Sequence, residues 1–163
     1  MSKESLENKI LSWSKKFIKS LKDYELIEII RSENLSKTNS DNIKEFPNYG
    51  NWDFISDFAL IIKNIKEDKL NIILINRDNK SIGLRSIGEI MCFNKIVNPI
   101  YSFLISEKGH SDEISYFMIN ENLRSKLMNY FDNTLIIFSF DDNSEKIKKE
   151  SIIPFSMRKI LND

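Results

Sequence analysis

An acid stands at the mouth of an apolar strand. Asp57 precedes Phe58-Ala59-Leu60-Ile61-Ile62, and a second apolar run, Leu70-Asn71-Ile72-Ile73-Leu74-Ile75, ends in the polar pair Asn76-Arg77. A strand-end carboxylate with a second carboxylate beside it would hold a hard divalent cation through oxygen ligands. Such an ion lowers the pKa of its bound water and stabilises charge on a phosphoester. The second strand, however, carries no carboxylate where that chemistry needs one.

Other chemically suggestive groups are weaker. Gly109-His110-Ser111-Asp112-Glu113 sets the only histidine beside two acids, where a metal or acid–base role is conceivable. The simplest reading of His110 is a loop residue next to a helix cap. Asp141-Asp142-Asn143 has the composition of a calcium loop without its spaced ligands or closing Glu, and reads as a turn. Gly83 and Gly88 are too sparse to cradle phosphates, and no nucleophile elbow is present. The single cysteine, Cys92, cannot form an internal disulfide and reads as a buried structural thiol.

The bulk numbers set the frame. A chain of 163 residues, 41% hydrophobic and 29% charged, suits a single domain over residues 1–163 with a proper core. Lys+Arg and Asp+Glu are both 24, so a nucleic-acid partner would have to be held by a local basic patch. The longest wholly apolar run, 58–62, is far too short to span a bilayer, and the charged start lacks a signal-peptide core. The expectation is an intracellular, cytoplasmic protein without a membrane partner.

The elements that must position these residues follow from periodicity. Leu6, Ile10, Trp13, Phe17, Leu21 and Tyr24 recur at helical spacing, predicting an amphipathic helix from about Ser2 to Asp23, with Lys15, Lys19 and Lys22 on another face. That lysine face reads as a solvated surface or as a phosphate-facing stripe. The β-branched content of 25–31 favours a strand. Residues 32–52 read as a long loop whose aromatics, Phe46, Tyr49 and Trp52, could pin it to the core or stack on a base. Strands 58–63 and 70–77 form a hairpin, both buried on two faces. A turn at 78–81, a helix over 82–97 ended by Pro99, a strand at 101–106, a helix capped by Ser111 that breaks near Asn120 and resumes through Phe131, a strand at 134–140 and a helical tail over 144–160 complete the order.

The order helix, three strands, helix, strand, with Asp57 opening the second strand, resembles the core of the PD-(D/E)xK nuclease superfamily, the restriction-endonuclease-like fold. The resemblance covers about residues 1–140 and rests on Asp57, on Leu70–Arg77, and on the helix Ser86-Ile87-Gly88-Glu89-Ile90 leading into 101–106. It implies an α/β fold: a mixed central sheet of four to five strands flanked by helices, an αβββαβ core, and an extra C-terminal helix over about 144–163.

It further implies an acid and a lysine two residues apart on the third strand, sharing one face because strand side chains alternate. Here the corresponding pairs are Leu74/Asn76 or Ile75/Arg77, and neither contains the acid. In some members the acid migrates to the following helix, which makes Glu89 the second ligand. The implied site is then Asp57 and Glu89 on Mg²⁺, with Arg77 or Lys80 supplying positive charge. Arginine cannot act as a general base. Two principal functions follow: a nuclease-like protein with a degenerate site, acting as a nucleic-acid- or protein-binding module without a cofactor, or a divergent Mg²⁺-dependent nuclease. A third is a protein-interaction domain unrelated to nucleases.

Overall fold

The computed structural model describes residues 3–141, 144 and 146–161; Ser2, Asp142, Asn143 and the last two residues of the expected tail lie outside these. Helix α1 (Lys3–Ser20) buries Leu6, Ile10, Trp13 and Phe17 against one face of the sheet, with Leu21 and Tyr24 half-buried beside them. The 3.6-residue period of these apolar side chains gives the helix a single face to bury, so packing rather than propensity holds it.

The strands are β1 (Tyr24–Asn34), β2 (Ile55–Asn64), β3 (Lys69–Asp78), β4 (Tyr101–Ser106), β5 (Asn129–Tyr130) and β6 (Asn133–Phe138). They form one mixed sheet in the order β1-β2-β3-β4-β6-β5. The first three pair antiparallel, whereas β3–β4 and β4–β6 are parallel. Six strands exceed the expected four to five, because β5 is only two residues long and too short to show an alternation.

Between β1 and β2 the expected loop begins only after Asn34. It carries the short helix α2 (Asp41–Lys44), whose cap Ser40 accepts from the Ile43 N–H. Trp52 is buried and Phe46 and Tyr49 pack around it, so these aromatics pin the loop. Helix α3 (Leu84–Val97) makes the crossover to β4 and stops at Asn98, whose φ of 53° is the left-handed cap that precedes Pro99. Helices α4 (Asp112–Ile119) and α5 (Glu121–Met128) cross to β6 and break at Asn120, whose side chain caps α5. Ser111 stands at the cap of α4 but its hydroxyl makes no capping bond.

Alternation in β2 and β3 feeds separate cores. Phe58, Leu60, Ile62, Ile73 and Ile75 pack beneath α1 with Phe103 and Ile105, while Ala59, Ile61, Ile72 and Leu74 pack with Ile43 and Trp52. Each buried large aliphatic or aromatic side chain contributes about 2 kcal/mol.

Two expectations are corrected. The C-terminal tail is not an α-helix: it forms 3-10 turns at Lys149–Ser151 and Phe155–Lys159. Ile147 and Ile153 form bridges to Phe140 and Ile137, so sheet-edge pairing overrides the local helical pattern. Cys92 is exposed, because α3 buries Ile87, Ile90, Met91, Asn94 and Val97 and leaves position 92 off that face. Among the described residues, no helix is long and apolar enough to cross a membrane.

Tyr130 is buried and its hydroxyl donates to the Pro99 carbonyl at 3.0 Å. Burial pushes its pKa up, so the folded state holds this proton more tightly than the unfolded state does. The stability contribution is therefore complete below the unfolded value of about 10 and is lost as pH rises past it. We predict a fall in unfolding free energy above about pH 10 that is shallower in Tyr130→Phe. That variant should be about 1 kcal/mol less stable at pH 7. Denaturant titrations across pH read both effects, and parallel alkaline slopes would contradict the assignment to Tyr130.

Candidate functional site

The antiparallel ladder of β2 and β3 ends at Phe58↔Ile75, which leaves Asp57 next to the last residues of β3. There the Asp57 carboxylate takes the place of a ladder partner. Its Oδ2 accepts the Arg77 backbone N–H at 2.7 Å, and its Oδ1 accepts Nε and Nη2 of the same residue at 3.1 and 2.8 Å. The guanidinium lies 5.7 Å over the Phe58 ring and 3.7 Å from Glu7 of α1. The Arg77 side chain is 7% exposed and that of Asp57 27%, so the pair is largely withdrawn from water. Charge-assisted bonds from a planar fork are among the stronger polar contacts available to a carboxylate.

The neighbouring groups complete a polar plug. Asn76 is buried; its Oδ1 lies 3.3 Å from the Ser56 hydroxyl and 3.4 Å from the Asp57 N–H, both donors. Among the described residues, its Nδ2 has no hydrogen-bond partner. Leu74, the position at which an acid would complete a cation site, is fully buried in the apolar core.

Of the four residues singled out by sequence, the fold brings Asp57 and Arg77 together. Glu89 lies on an exposed face of α3, where its Oε1 accepts from Arg85 Nε at 3.0 Å; the two side chains are 60% and 92% exposed. No hydrogen bond or ion pair among the described residues links Glu89 to Asp57. Lys80 is exposed; its backbone N–H donates to Asp78 Oδ1 at 2.8 Å, and its carbonyl accepts from the Ser106 hydroxyl at 2.6 Å.

Two residues of this end of the sheet escaped the sequence reading. Asp78 accepts from the Ser86 hydroxyl and thereby ties the end of β3 to the first turn of α3. Its only signal was a place in an Asp-Asn-Lys-Ser turn. Glu7 gave none, since it stands off the apolar stripe of α1. His110 lies beside Ser115, Nδ1 to Oγ 3.2 Å, and among the described residues no acid hydrogen-bonds its ring.

A hard divalent ion would need oxygen donors at Asp57 and at a second site nearby. With the Asp57 carboxylate engaged by Arg77 and Leu74 apolar, these residues do not form that donor set. Among the described residues, no group of three or more His, Cys, Asp or Glu is placed to hold a metal ion. No family model, curated protein or solved structure matches the chain.

Proposed function

We propose that this chain is a nuclease-like α/β scaffold whose metal position has been converted into an internal ion pair, and that it acts as a nucleic-acid-binding module. The observation that carries the reading is the Arg77 fork on Asp57. A guanidinium already satisfies the Asp57 carboxylate, and a divalent ion would have to displace a buried, hydrogen-bonded cation. Support for the scaffold comes from the order α1-β1-α2-β2-β3-α3-β4, with α2 a single turn in the β1–β2 connection, β2–β3 antiparallel and β3–β4 parallel. This likeness is one of topology, and topology alone does not confer activity.

The test is a cleavage assay on single- and double-stranded substrates with Mg²⁺ or Mn²⁺, comparing wild type with Asp57→Ala and Glu89→Ala. The expected result is no metal-dependent turnover by the wild type. Cleavage that is lost in both variants would overturn the reading in favour of a nuclease using Asp57 and Glu89.

A further inference from the structure

A cavity of about 300 Å³ opens between α1 and the C-terminal segment, distant in sequence from the Asp57 plug. Its apolar lining includes Trp13, Phe17 and Leu161, and Lys16, Lys146 and Ile160 also line it. The volume lies at the lower end of small-ligand pockets and suits one aromatic ring system with its substituents.

The cavity sits in a locally basic stretch of a chain with zero formal net charge. Residues 13–22 contain Lys15, Lys16, Lys19 and Lys22 and no acid, and all four lysines are exposed. At 1.5 Å rise per residue, Lys16 and Lys19 of α1 stand about 4.5 Å apart along the helix axis, so positive charge continues along the helix from the cavity lining. Lys146 brings a further cation from the other wall. Lys16 and Lys146 in the lining of an apolar pocket, with Lys19 about one turn on from Lys16, match a polymer that repeats a phosphate with a flat apolar ring. An acidic peptide would match the charges but would bring no ring for the pocket.

We propose that this groove binds single-stranded nucleic acid, with one base against the apolar lining, its phosphate near Lys16 and Lys146, and the strand continuing past Lys19. The inference rests on the binding-module reading and places its contact surface away from the Asp57 end of the sheet.

The experiment is fluorescence anisotropy of the full chain with labelled oligodeoxythymidylate and oligoadenylate of about 12 nucleotides, at about 50 and 200 mM salt. Wild type should bind more weakly at the higher salt. Lys16→Ala/Lys146→Ala should weaken binding by about tenfold or more. Ile160→Asp, which places a like charge at a half-exposed position, should do the same, with folding checked by circular dichroism. Lys126→Ala, an exposed lysine on α5, should bind as wild type does.

Equal binding by all variants would overturn the groove while leaving the closed Asp57 site to its own cleavage test. No oligonucleotide binding at low salt would overturn both the groove and the nucleic-acid part of the proposed function. Binding of polyglutamate without oligonucleotide binding would overturn them too, in favour of an acidic protein partner.

Discussion

Replacing Arg77 with methionine is expected to lower the unfolding free energy by about 3 kcal/mol, because it strands the Asp57 carboxylate in a largely buried position. The side chain lost is 7% exposed and makes two side-chain bonds to that carboxylate. Methionine preserves much of the volume over Phe58, so the loss reports on charge more than on packing. The pair Asp57→Asn/Arg77→Met should recover about half of the loss, since neither charge then remains unpaired. By contrast, Arg85→Ala, which removes the exposed i,i+4 pair with Glu89, should cost about 0.5 kcal/mol or less. Urea denaturation of the wild type and the three variants gives the comparison. A cost for Arg77→Met as small as that for Arg85→Ala would show that the Asp57–Arg77 pair is solvated and that the carboxylate remains available to a metal.

The second large effect lies beneath α1. Phe103 is fully buried and meets Trp13 edge-on at 5.0 Å, Phe17 at 5.4 Å and Phe138 at 5.9 Å. Phe103→Ala should destabilise by about 4 kcal/mol, combining lost transfer energy with the cavity left among three rings that cannot all move inward. Edge-to-face geometry adds a further increment to each contact. Phe131→Ala, at a ring 68% exposed, should change stability by about 0.5 kcal/mol or less. Chemical denaturation followed by tryptophan fluorescence distinguishes them; a mild Phe103→Ala phenotype would mean that α1 re-seats over the sheet. Because Trp13 and Phe17 also line the basic groove, such re-seating would disturb that groove as well.

Much of the scaffold was legible because its signals are local. The stripe Leu6-Ile10-Trp13-Phe17 states which face of α1 is buried, and the unbroken apolar runs of β2 and β3 state that both faces of those strands are covered. The missing second carboxylate was equally plain, since it required only reading Leu74 and Ile75. Where sequence reasoning failed, a non-local contact outweighed the local pattern. The tail over 144–160 carries enough apolar residues for a helix, yet Ile153 pairs with Ile137 of β6. Cys92 sits among apolar neighbours, but the rotation of α3 set by Ile87, Ile90 and Met91 turns it outward.

The sequence alone thus determined that an acid would open an apolar strand without a partner acid on the next one, since residue identity and strand period are properties of single segments. Only the tertiary structure decided what that acid would do. The ladder ends at Phe58↔Ile75, and this pairing of segments about twenty residues apart puts Arg77 within reach of Asp57. Glu89 is held by the neighbouring Arg85 on an exposed face of α3 instead. A register shift of one residue would have exchanged the faces of β3 and given Asp57 different company, so its partner is a fact of strand pairing and not of any motif.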